Sequence, residues 1–79
     1  MTVTTPIAKT VDARGLSCPL PIVKTALAIK EIGSGDLLDV LATDPGSTKD
    51  FTAWSTTTGH QLVESSVDGK VFRYVVRKK

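Results

Sequence analysis

The chain is expected to fold as a small α/β (α+β) two-layer sandwich, ordered β-α-β-α-β-β, with a four-stranded mixed sheet and both helices on one face. Three observations predict it. Short stretches of alternating polarity open and close the sequence, a helical periodicity follows the first of them, and a dense apolar run stands in the middle, bounded by glycine and by Asp44-Pro45-Gly46. Two right-handed crossovers that add strands on the same side place both helices on one face.

Each element has its own justification. Ile7, Val11 and Ala13 alternate with polar neighbours over residues 7–13, and the pattern stops at Gly15. From Pro19 to Ile32 the residues Ile22, Val23, Ala26 and Ile29 share a predicted helical face, and Gly33-Ser34-Gly35 supplies the stop. Residues 36–43 read as a strand buried on much of both faces. Ser47 is the predicted cap of a second helix that ends at Gly59, with Asp50 as its capping acid and Phe51 and Trp54 as its docking side chains. Residues 60–67 and 70–77 form a hairpin about Asp68-Gly69.

Length and composition bound the function. Seventy-nine residues, 41% hydrophobic and 23% charged, make one domain with a modest core, expected over residues 7–79 after a flexible N-terminal segment at 1–6. A deep catalytic cavity would remove side chains such a core needs, so chemistry belongs at the surface. The net charge of +2 is small and scattered, which does not point to direct nucleic-acid binding. Residues 1–6 resemble no export signal and no apolar run can span a bilayer, so a cytoplasmic location is expected. One cysteine and one histidine exclude an internal disulfide and a structural zinc site; neither a metal nor an organic cofactor is expected.

That cysteine, Cys18, lies in Asp12-Ala13-Arg14-Gly15-Leu16-Ser17-Cys18-Pro19-Leu20-Pro21. Pro19 and Pro21 suit a first helical turn, where a missing N–H costs nothing, and they put Cys18 at the expected N-cap. The positive end of a helix lowers a thiol pKa from about 8.5, into a range of about 3.5–7.5 at the best-placed sites. Arg14 would add positive charge, and Gly15 would let the chain turn. A solitary cysteine is most often a small buried hydrophobe, but the cap position favours an accessible, partly ionised nucleophile. His60 starts a late strand and offers no base, which argues against Cys-His hydrolysis. Thiol exchange needs only ionisation and access, and suits a carrier.

Gly15-Leu16-x-Cys18-Pro19-x-Pro21 after Asp12-Ala13 resembles the signature of the TusA (SirA-like) family of sulfur carriers. Asp44-Pro45-Gly46-Ser47-Thr48-Lys49-Asp50 and the closing Phe72-Arg73-Tyr74 are similar to its other characteristic stretches. The resemblance runs from about Val11 to Lys78. It implies that Cys18, the catalytic residue, accepts sulfane sulfur as a persulfide from a cysteine desulfurase or rhodanese. It further implies transfer to an acceptor of the DsrE type or a related sulfur-handling complex, a sulfurtransferase activity carried by the CPxP motif. The second cysteine that some members carry near Trp54-Ser55 is absent here. Leu20 stands where members serving tRNA thiolation have an acid, and so resembles members tied to oxidative sulfur metabolism. Leu20, Lys49 and Asp50 are candidate partner contacts. Two rival readings are a non-catalytic regulatory or nucleic-acid-binding module, and a single-cysteine redox sensor.

Overall fold

The computed structural model describes residues 7–79; the flexible segment expected at 1–6 lies outside them. Its elements are β1 (Ile7–Ala13), α1 (Leu20–Ile29), β2 (Leu37–Ala42), α2 (Ser47–Thr58), β3 (Gln61–Asp68) and β4 (Val71–Arg77). All six expected elements are present. The strands form one sheet in the order β1-β2-β4-β3, with β1 parallel to β2 and β4 antiparallel to both of its neighbours. β4 therefore fills the gap between β2 and β3, and the second crossover skips one strand position. The central β2–β4 ladder is regular, whereas the register slips between Ile7 and Lys9 on β1 and between Leu62 and Glu64 on β3.

Period-two alternation decides which strand residues meet the helices. Val11, Ala13, Leu38, Val40, Ala42, Tyr74 and Val76 face them and form one cluster with Ala28, Ile29 and Phe51, so both helices cover the same face. Arg73 and Arg77 emerge on the opposite face, where Arg73 Nε donates to Asp39 Oδ1 at 2.8 Å. Leu37 and Val75 on that face are nonetheless buried, which makes β2 the expected two-sided strand. Phe51 stacks on Tyr74 with ring centroids 4.4 Å apart and packs edge-on to Trp54, the docking role expected of both aromatics.

Two helix readings are corrected. In α1 the buried residues are Pro21, Thr25, Ala28 and Ile29, spaced i, i+4, i+7 and i+8; Val23, assigned to the core face, is 47% exposed. The small Ala28 and the back-bonded hydroxyl of Thr25, which donates to the Pro21 carbonyl at 2.8 Å, allow close approach to the sheet. That rotates Leu20, Val23 and Leu27 outward. The helix also ends at Ile29, although Ile32 still packs on the core. In α2 the N-cap is Gly46, not Ser47. Ser47 lies inside the first turn, 1% exposed, and its Oγ is 2.7 Å from the Tyr74 hydroxyl. That bond needs a residue 27 positions away, so the local capping pattern could not show it. Gly59 ends α2 in the left-handed conformation, as expected.

Candidate active site at the ends of the parallel strands

Parallel neighbours send their following loops to the same end of the sheet. Ala13 of β1 is paired with Ala42 of β2, so the chain leaving β1 toward α1 runs beside the chain leaving β2 toward α2. The Gly15 N–H donates to Thr43 Oγ1 at 2.9 Å, fastening the two loops together. Gly15 turns the chain there with φ +81°, a conformation that costs a side-chain-bearing residue about 1–2 kcal/mol.

Cys18 emerges from this loop as an exposed free thiol. Among the remaining candidates, Pro19 is the N-cap of α1 and Pro21 its second helical residue, with the Cys18–Pro19 peptide bond cis. The cap position expected for Cys18 is therefore corrected by one residue, because Pro19 itself supplies the bend into the helix. The Leu20 and Val23 N–H groups donate to the Ser17 and Pro19 carbonyls, at 2.9 and 3.1 Å, so part of the first turn's donor capacity is already used.

The electrostatics are the reverse of the expected ones. Arg14 turns away from the sulfur and forks onto Asp12, with Nε and Nη2 donating at 2.8 and 2.9 Å, and its N–H reaches the same carboxylate. These bonds hold the Asp12 carboxyl at about 2, well below the usual range. Lys24 donates to the Asp12 carbonyl. Two acids approach Cys18 instead: Asp44, from the loop after β2, and Asp50, from the first turn of α2. Cys18 Sγ and one oxygen of each carboxylate lie within 4.8 Å of one another. The Asp50 carboxylate, by accepting from the S–H, pushes the Cys18 thiol above its ordinary pKa; partial desolvation and the negative charge of both acids act in the same direction.

Asp50 was expected beside the site, as a contact for partners. Asp44 was not singled out, although the parallel β1–β2 pairing makes its approach a consequence of topology. Its Oδ2 is a buried carboxylate oxygen with no hydrogen-bond partner among the described residues. As ligands for a metal, one thiol and two carboxylates fall short of the four-ligand closed set of structural zinc. Lys49 is exposed at the start of α2. His60 is engaged elsewhere, accepting from the Lys79 N–H at 3.0 Å on Nδ1 and lying 5.3 Å from the Trp54 ring.

Beside the thiol, the outward stripe of α1 continues the exposed surface. Leu20, Val23 and Leu27 are 50%, 47% and 61% exposed, one helical turn apart from each other in succession. A shallow groove of about 300 Å³ between β1 and α1 borders Leu27, at the far end of this stripe.

Comparison with known proteins agrees with this arrangement. The family model described as "Sulfurtransferase TusA" matches residues 9–78. YrkI of Bacillus subtilis is 46% identical over 70 residues, covering 89% of this chain and 93% of its own. "Sulfur carrier protein TusA" of Allochromatium vinosum is 46% identical over 67 residues, covering 85% and 88%. The crystal structure of a SirA-like protein from Desulfitobacterium hafniense superposes with a TM-score of 0.76 at 27% identity, covering 87% of this chain and 95% of that one. No described helix is long and apolar enough to cross a membrane. The β-α-β-α-β-β sandwich with Cys-Pro-x-Pro at the entry to its first helix therefore belongs to the TusA family of sulfur carriers, whose business is sulfur transfer.

Proposed function

We propose that this chain accepts sulfane sulfur on Cys18 as a persulfide and passes it to a second protein, with Cys18 as the catalytic nucleophile. The observation that carries the reading is a solitary thiol, exposed at the tip between β1 and α1, with an apolar helix stripe leading away from it. A sulfur carrier must be entered and left by two different proteins, and an exposed tip allows both.

The reaction needs no cofactor and no net oxidation. The Cys18 sulfur attacks the terminal sulfur of a donor persulfide, R–S–SH. The donor S–S bond breaks as a new one forms on Cys18, the R–S⁻ group departs, and the proton lost from Cys18 ends on it. The sum is Cys18–SH plus R–S–SH giving Cys18–S–SH plus R–SH. Transfer to an acceptor cysteine repeats the exchange with the roles reversed. A cysteine desulfurase or a rhodanese fits the donor role, and a DsrE-type protein or related complex fits the acceptor role, in the cytoplasm.

Gly15 and the two prolines shape the loop, while Arg14 holds Asp12 at its base. Leu20, Val23 and Leu27 are the docking surface, since a partner whose sulfur reaches Cys18 must cover Leu20. An apolar residue between the prolines favours a partner from oxidative sulfur metabolism over one from tRNA thiolation. Lys49 and Asp50 flank the same tip.

Incubation with a persulfide-bearing rhodanese, followed by mass spectrometry, tests the reading. Cys18 should gain the mass of one sulfur atom, lose it to reductant, and the Cys18→Ser variant should gain none. Indifference to that substitution would favour a binding module. Rapid oxidation by peroxide without any sulfur transfer would favour a redox sensor.

A further inference from the structure

Asp50, in the first turn of α2, makes no side-chain cap bond, and a carboxylate oxygen of it lies within 4.8 Å of the Cys18 sulfur. The surroundings of that sulfur are one-sided. From α2 comes Asp50 and from the β2–α2 loop comes Asp44, both acidic. Of the cations near the tip, Arg14 is committed to Asp12 and Lys24 to the Asp12 carbonyl, while Lys49, beside Asp50 on α2, is exposed to solvent and is not among the charges acting on the sulfur. Asp44 Oδ2 has no partner among the described residues. A thiolate formed here would face two carboxylates with no compensating charge supplied by the loop that bears it.

We propose that Asp50, seconded by Asp44, gates the nucleophile: it keeps Cys18 as a thiol in the free carrier, and a partner releases it by placing a lysine or arginine opposite the two carboxylates. The gate deepens the sulfur-carrier reading and rests on it. Its chemistry follows from charge alone. A cation docked against Asp44 and Asp50 cancels the field that opposes ionisation, and the Cys18 proton is then free to pass to the departing donor thiolate. Once loaded, Cys18 departs as a thiolate when the acceptor attacks the terminal sulfur, so the acceptor too must set a cation opposite the same acids, and between partners the sulfur is retained. Asp50 is therefore also a specificity residue. A partner with an acidic surface around its own cysteine would be repelled, and one with a basic surface would be both attracted and activating.

The test uses the free chain and small reagents, so it is independent of sulfur uptake. Alkylation of Cys18 is followed against pH with neutral iodoacetamide, and then at pH 7 with cationic bromoethylamine and anionic iodoacetate. The proteins are the parent chain, Asp50→Asn and Asp50→Glu, with circular dichroism to confirm folding. Asp50→Asn should move the alkylation midpoint to lower pH. It should also reduce the ratio of cationic to anionic labelling, by about fivefold for each unit of reagent charge held about 4 Å from the carboxylate in water. Asp50→Glu, which keeps the charge, should restore most of both. A midpoint and a ratio unchanged in Asp50→Asn would overturn the gate, even if Cys18 still takes up sulfur from a rhodanese. A shifted ratio with no sulfur uptake would instead overturn the carrier reading and leave the field around Cys18 as described.

Discussion

Replacing Tyr74 by phenylalanine tests whether the acidic tip is held in place from the core. Tyr74 is fully buried in the centre of the sheet, and its hydroxyl lies 2.7 Å from Ser47 Oγ and 3.1 Å from Thr48 Oγ1, the first two residues of α2. Thr48 is exposed and can turn to water, but Ser47 is 1% exposed. Tyr74→Phe keeps the ring and its stacking on Phe51, and leaves one buried hydroxyl without a partner. The cost of such an orphan is about 1–3 kcal/mol. For a domain of this size each kcal/mol moves Tm by roughly 4–8 °C, so melting should fall by at least about 4 °C, read by circular dichroism or calorimetry. Removing both hydroxyls in Ser47→Ala/Tyr74→Phe abolishes the orphan. The double variant should thus be more stable than the sum of the singles predicts, with a coupling of about 0.5–3 kcal/mol. Strict additivity, or a Tyr74→Phe protein as stable as the parent, would refute the claim that this bond anchors α2.

The remaining predictions concern the tip and the core. Phe51→Ala removes a fully buried ring between Tyr74 and Trp54 at a cost of about 3–5 kcal/mol, comparable with the whole stability of so small a core, and far-ultraviolet circular dichroism at 25 °C should show a largely unfolded chain. Gly15→Ala, at φ +81°, should lose about 1–2 kcal/mol in urea unfolding although no atom lies within 4 Å of the added carbon; full stability would show that the loop relaxes freely. Asp12 should titrate by NMR with a midpoint of about 2, rising toward the ordinary value in Arg14→Gln. Because its folded pKa is the lower one, its favourable contribution is complete above the unfolded value of about 3.9 and disappears as pH falls through about 2. Leu27→Asp should leave Tm unchanged within about 2 °C, since the side chain is 61% exposed, while slowing sulfur exchange with a partner protein; an unchanged rate would remove the α1 stripe from the docking surface.

The parts legible in the sequence were those governed by short-range rules. Gly59 at the end of α2, the β3–β4 hairpin and the polar alternates Arg73 and Arg77 all follow from backbone preference or period-two alternation, and the structure has them. The hairpin turns on Gly69-Lys70, one residue later than the expected Asp68-Gly69, because Asp68 still pairs with Val71. What escaped needed partners distant in the chain. The rotation of α1 was set by which residues let it approach the sheet most closely, and alanine and threonine won over the larger Val23. The two prolines after Cys18 single out its loop in the sequence, but the field around the sulfur was misjudged. A helix terminus is a local feature readable from sequence, whereas Asp44 and Asp50 come from 26 and 32 positions away, brought there by the parallel pairing of β1 and β2. Arg14 was likewise misassigned, because its nearest acid, two residues back, outcompeted the sulfur.

The slipped registers of β1 and β3 fall on the two outermost strands, and the regular ladder lies between them. A foreign strand seeking to zip onto either border meets a break in the comb of N–H and C=O groups, which discourages edge-to-edge stacking into ribbons. Broken combs on both borders thus disfavour growth of such a sheet into fibres when copies are crowded.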